Sequence, residues 1–207
     1  MRFKLYIAFN FLGIILLNTP ASFAQLPVAV EAVKKVAAFI MDNTSYTFID
    51  TKSGARYSST LGLPADINIK AESIYNKWEY SNGVMAIGMM ELSKTLDDTV
   101  YESYVGRNFG FVFDNIRFFE NQYAENNKTE FYNFIRMDRL DDMGALSAAL
   151  TRYDMLQPRP EYKAYLQKAI NYLSSGQTRL ADQTLCRKGP REMTIWADDL
   201  YMSVQLS

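Results

Sequence analysis

Two pairs of adjacent aspartates have the chemistry to act as catalysts. One lies in Leu140-Asp141-Asp142-Met143-Gly144, the other in Trp196-Ala197-Asp198-Asp199-Leu200-Tyr201-Met202. Two carboxylates facing one cavity divide acid and base roles when their surroundings push their pKa values apart. Each pair opens a stretch with helical spacing. Neighbouring positions on a helix point about 100° apart, so one aspartate of each pair can face a cavity squarely while the other turns aside. Helix capping, with a carboxylate favoured at a helix N-terminus, is the plain alternative for both pairs.

Composition leaves few other candidates. The 207 residues include no histidine and a single cysteine, Cys186. That excludes Ser-His-Asp and Cys-His catalysis, the HExxH zinc site and an intramolecular disulfide. A formal net charge of −1 argues against a nucleic-acid partner, which calls for a basic excess. Near the acidic pairs, Trp78, Tyr80, Trp196 and Tyr201 offer aromatic faces to the apolar faces of sugar rings, or else serve as core aromatics with their polar tips satisfied. Arg187 and Arg191 precede the second pair. They can grip a substrate carboxylate with two parallel hydrogen bonds, or stand solvated in a loop.

The elements that position these groups are read from hydrophobic spacing. Arg2 and Lys4 begin the chain, an apolar run covers 5–17, and Asn18, Thr19 and Pro20 end it before Ala21-Ser22-Phe23-Ala24. The run is too short to span a bilayer, and Ser22 and Ala24 fit the −3 and −1 positions of a cleavage site. Residues 1–24 are therefore expected to be a signal peptide. Residues 25–207 are expected to be exported, to the periplasm or the medium, with no membrane segment once the leader is cut. Helices are predicted over 28–41, 78–96, 99–120, 141–155, 161–173 and 196–206. Residues 42–75, 121–129 and 176–190 read as irregular.

A shift of 61 positions lays Gly83 on Gly144, Tyr101 on Tyr162 and Tyr104 on Tyr165. Each block is a small-residue helix, a short loop and an aromatic-rich helix. Such repeats bury their faces only by stacking on neighbours. The helices over 78–96 and 141–155 are nearly apolar all round, which predicts burial on more than one side. Those over 99–120 and 161–173 carry more charge. An inner ring of buried helices inside an outer ring of amphipathic ones is an all-α toroid of helical hairpins, and 25–207 would hold three of them.

At this point the motifs resemble a known family. The string Thr194-Ile195-Trp196-Ala197-Asp198-Asp199-Leu200-Tyr201-Met202 is similar to a signature of the unsaturated glucuronyl and rhamnogalacturonyl hydrolases, glycoside hydrolase families 88 and 105. Leu140-Asp141-Asp142-Met143-Gly144-Ala145 resembles their Leu-Asp-x-x-Gly-Ala motif, and Trp78-Glu79-Tyr80-Ser81-Asn82-Gly83-Val84 their early Trp-x-Tyr-x-x-Gly-Val segment. Thr184-Leu185-Cys186-Arg187 resembles a Thr-x-x-Arg turn ahead of the second signature. The resemblance implies an (α/α)6 barrel, of which this chain would supply the N-terminal half, about three of six hairpins. It implies hydrolysis of oligosaccharides that carry a 4,5-unsaturated uronic acid at the non-reducing end, without metal or organic cofactor. Carried over residue by residue, Asp198 is the acid/base and Asp141 its partner carboxylate. Asp199 is a supporting group, with exchange of roles between Asp198 and Asp199 left open. The competing expectation is a non-catalytic exported helical-repeat module that binds glycans or a protein partner and has no need of Asp198.

Overall fold

A computed structural model describes residues 28–189 and 191–197. The expected signal peptide, Asp198, Asp199 and Tyr201 lie outside the described residues. The chain divides after Asp42 into two units. The described part of the first is helix α1 over 28–42. No helix among the described residues is long and apolar enough to cross a membrane.

From Asn43 onward the fold is mainly helical. Three short strands come first, β1 (Phe48–Asp50), β2 (Arg56–Tyr57) and β3 (Ile69–Ala71), in the order β2-β1-β3 and antiparallel throughout. Helices α2 (Tyr80–Leu96), α3 (Val100–Asn126), α4 (Tyr132–Arg136), α5 (Leu140–Asp154) and α6 (Pro160–Asn171) follow, and a π-helical turn over Tyr172–Gly176 closes α6. Among the described residues of 177–194 there is no regular element beyond two isolated bridges, Arg179 with Leu185 and Arg187 with Thr194.

The sheet departs from the irregular stretch expected over 42–75. Strands of two or three residues are too short to display an alternating pattern. The sheet is held by what it packs on. Phe48 is fully buried and stacks on Phe111 of α3 at 4.9 Å. The same sheet accounts for a second departure, since α3 continues through the polar residues 121–126. Gln122, 1% exposed, donates to the Asp66 and Ile69 carbonyls at 2.6 and 2.9 Å, and Asn126 donates to Ala65 at 3.1 Å. The satisfied buried amide of Gln122, with the exposed one of Asn126, keeps a polar segment helical where composition reads as a turn. α3 ends where Asn127 turns into the left-handed region, at φ 51°.

The 61-residue relation is visible in three dimensions. α2 and α5 lie side by side and parallel, and α2–α3 and α5–α6 form two hairpins. A Cβ on Gly83 would stand 2.6 Å from the Ala145 carbonyl carbon, so these helices approach as closely as a glycine permits. In the last turn of α5, Arg152 pairs with Glu91, its counterpart one repeat earlier, at 2.7 Å. α5 is buried without interruption from Asp142 to Leu150, as an inner helix should be. α2 is not: Asn82, Gly83, Ala86, Met89 and Ser93 are buried, while Val84 is 46% exposed.

Aromatic side chains fill the space between the hairpins. Phe113 of α3 meets Tyr162 of α6 edge-on at 4.7 Å. Trp78, expected as a sugar-stacking face, is only 2% exposed. Phe134 and Tyr165 lie 4.8 and 5.0 Å from it, Phe113 lies beyond at 5.9 Å, and its indole nitrogen donates to the Tyr165 hydroxyl at 2.8 Å. With its ring enclosed and its donor satisfied, Trp78 is a core residue and not a surface for a ligand.

Candidate active site

The first acidic pair sits at the N-terminus of α5, and its members face in different directions. Asp142 turns inward. It is buried, and its carboxylate accepts from the Tyr80 backbone N–H at 2.9 Å and from the Asn133 amide at 2.8 Å. The first of these bonds caps α2 from a neighbouring helix, since Glu79 at the N-cap position supplies no side-chain bond. Burial raises the Asp142 pKa, partly offset by the Tyr80 N–H.

Asp141 turns outward to a cavity of about 600 Å³. One of its oxygens accepts from the Asp142 N–H and the other from the Arg187 guanidinium, both at 2.9 Å. Asp141 and Arg187 are 22% and 17% exposed in their side chains, so the pair is sheltered yet open to a ligand. The expected division of each acidic pair is therefore realised in the first: Asp141 faces the cavity and Asp142 supports the fold.

Three further segments complete the cavity wall around Asp141 at the start of α5. α4 and the turn after it bring Tyr132, Arg136, Asp138 and Arg139. The end of α6 brings Tyr172, and the following loop brings Arg187 and Lys188. Met137, buried and left-handed at φ 49°, reverses the chain after α4 so that Asp138 and Arg139 lead directly into α5. The Tyr132 hydroxyl donates to Asp138 at 2.8 Å, which raises the phenol pKa. Arg136 donates to the Tyr123 hydroxyl at 3.1 Å.

Four cations, Arg136, Arg139, Arg187 and Lys188, thus line a cavity that holds two carboxylates, Asp138 and Asp141. The volume falls within the ~300–1,000 Å³ range of small-molecule sites. The charge excess suits an anionic ligand, and Tyr132 and Tyr172 add hydroxyl groups and ring surface.

Of the residues expected at a site, the structure brings Asp141 and Arg187 together in the wall. Trp196 joins them through Arg187, whose guanidinium carbon lies 4.1 Å from the indole centroid. Trp196 is 44% exposed. Tyr80 is half exposed at the start of α2 and does not line the cavity. Arg191 is exposed in the loop. Tyr132, Arg136, Arg139, Tyr172 and Lys188 were not singled out from sequence. The signal for two of them was present, since Arg136-Met137-Asp138-Arg139 runs straight into Leu140-Asp141.

Residues 65–207 match the family described as Glycosyl Hydrolase Family 88. No curated protein matches the chain. The matched region contains α2 to α6, both acidic pairs and the entire cavity wall.

Proposed function

The chain belongs to glycosyl hydrolase family 88, and from that premise we propose that it removes 4,5-unsaturated uronic acids from the non-reducing ends of lyase-generated oligosaccharides. A glycoside hydrolase of the unsaturated glucuronyl hydrolase type is what the family supports. The acid, the bond and the substrate are our assignment. The observation that carries it is the pairing of Asp141, from the first acidic motif, with Arg187, from the segment leading to the second, in the wall of a cation-rich cavity.

In this reading Asp198 is the general acid. It delivers a proton to C4 of the C4=C5 double bond, leaving positive charge shared between C5 and the ring oxygen. Water then adds at C5 and returns a proton to the Asp198 carboxylate. The resulting hemiketal opens to a ketone at C5, and the C1 centre collapses to an aldehyde as it releases the remaining saccharide. One proton goes in at C4 and one comes back from water, so Asp198 ends as it began. Asp141, held by Arg187, orients the sugar hydroxyls or the water. Trp196 and Tyr201 are proposed as faces for sugar rings, Tyr80 as a further face outside this cavity, and the exposed Arg139 and Lys188 as partners of the uronate carboxylate. Removal of residues 1–24 on export is also proposed, and an exported protein starting at Gln25 is its test.

The hydrolase assignment is tested by mixing the protein with a 4,5-unsaturated uronyl disaccharide and following the absorbance of the double bond. Loss of absorbance with release of the second sugar is expected. Release of the sugar with the double bond intact would overturn the vinyl-ether mechanism.

A further inference from the structure

We propose that Arg187 is a positioning residue that locks Asp141 to the segment carrying the second acidic pair, and that it is not the ligand of the substrate's carboxylate; the kinetic half of the argument rests on the hydrolase reading above.

The guanidinium is already committed on two sides. Its Nη2 donates to Asp141 at 2.9 Å, and its carbon stacks 4.1 Å from the Trp196 ring centroid. A planar guanidinium can do both at once, and an ammonium cannot. Its backbone is equally fixed. Arg187 N–H donates to the Thr194 carbonyl at 2.9 Å and receives the Met193 N–H on its own carbonyl at 3.0 Å.

This small bridge stands on a buried foot. Cys186, 2% exposed, donates its N–H to Thr178 and accepts on its carbonyl from the Gln177 amide at 2.5 Å. Tyr172 donates to the same Gln177 side chain at 2.8 Å. Gly176 makes room for that tyrosine, because a Cβ there would lie 2.7 Å from the Tyr172 ring. A chain of contacts therefore runs from the end of α6 to Arg187, and from Arg187 to Asp141 on one side and Trp196 on the other.

Asp198 follows Trp196 by two residues. Holding the Trp196 ring fixes the point from which the chain departs to Asp198, relative to Asp141. Withdrawing Arg187 to bind a ligand carboxylate would break that connection and leave Asp141 without its cation. Lys188 and Arg139 line the same cavity and are exposed, and among the described residues neither is tied to the second motif as Arg187 is.

The experiment has a spectral half and a kinetic half, both on the full chain. In the first, the Arg187 Nε–H resonance is assigned by its loss in Arg187→Lys. It should shift in both Asp141→Asn and Trp196→Leu without ligand present. A resonance indifferent to either change would overturn the coupling.

In the second, kcat and KM are measured for an unsaturated uronyl disaccharide and for its methyl ester. Positioning predicts that Arg187→Lys lowers kcat at least tenfold with KM within about twofold. It also predicts that esterification costs wild type and Arg187→Met the same factor. A rise in KM rescued by lysine, or an ester penalty that vanishes in Arg187→Met, would make Arg187 the carboxylate ligand. If neither substrate is hydrolysed, the hydrolase reading falls and the spectral half alone decides the coupling.

Discussion

The carboxylate of Asp142 accepts a hydrogen bond from the backbone N–H of Tyr80 at 2.9 Å, so that α5 caps the first turn of α2. Two helices related by the 61-residue repeat are thus tied at their N-termini, beside the close approach at Gly83. The capping role weighed for the acidic pairs belongs to Asp142, and it leaves Asp141 free to face the cavity.

The two neighbours should therefore respond unequally to mutation. Asp142→Ala removes the buried carboxylate that accepts from the Tyr80 N–H and the Asn133 amide, and is expected to cost about 1–3 kcal/mol. Asp141→Asn alters a partly exposed ion pair, and is expected to cost less than about 1 kcal/mol. Urea unfolding midpoints test this. A larger loss in Asp141→Asn than in Asp142→Ala would contradict the division of roles.

Glu130 predicts a pH dependence of stability. One of its oxygens accepts from the Ala71 N–H at the end of β3, while the other is buried without a partner. Burial pushes its pKa up to about 7, against smaller opposing effects of the Ala71 N–H, Lys77 and Lys70. The folded state therefore holds a proton that the unfolded chain releases near pH 4–5. Stability from this group is complete below that range and falls as pH rises through about 7, by on the order of 1–3 kcal/mol. Glu130→Gln keeps an acceptor for Ala71 and removes the titration. It should match wild type in thermal stability at pH 5 and exceed it at pH 8. Equal melting temperatures at pH 8 would show that Glu130 ionises in the fold without cost.

The cation-rich wall makes a prediction about substrate binding. Arg139 and Lys188 are exposed and line the cavity. Reversing either charge, Arg139→Glu or Lys188→Glu, is expected to raise KM for an unsaturated uronide roughly tenfold, a change of about 1.4 kcal/mol, with kcat within a few-fold. The rise should shrink at high salt as the charges are screened. An unchanged KM in the double variant would remove this wall from substrate recognition.

Much of this architecture can be read in the residue pattern, and the failures have physical causes. The helices of both hairpins fall within two residues of expectation at their starts, because apolar spacing is strong there and Asp97, left-handed at φ 52°, ends α2 before Asp98 caps α3. The run of α3 past Glu120 was hidden because it depends on Gln122 reaching backbone carbonyls more than fifty positions away. The sheet was hidden because its strands are stabilised by Phe111 and Phe119 rather than by their own alternation. Trp78 looked like a ligand surface because a tryptophan beside a tyrosine and a small-residue helix reads alike in a core and in a cleft. Only the ring contacts of Phe134 and Tyr165 separate the two. Asp141 could be picked out by its motif, but its choice over Asp142 needed the geometry of α5 against α2.

Asp198 is proposed to protonate the double bond with Asp141 as its partner carboxylate. The most direct measurement compares wild type with Asp198→Asn, Asp199→Asn and Asp141→Asn, by loss of double-bond absorbance from a 4,5-unsaturated uronyl disaccharide, with folding checked by circular dichroism. Asp198→Asn should be slowed by a factor of about 10²–10⁴, as expected for a lost general acid, Asp141→Asn should also be slowed, and Asp199→Asn should retain most of the rate. Turnover that survives in Asp198→Asn would exclude Asp198 as the general acid.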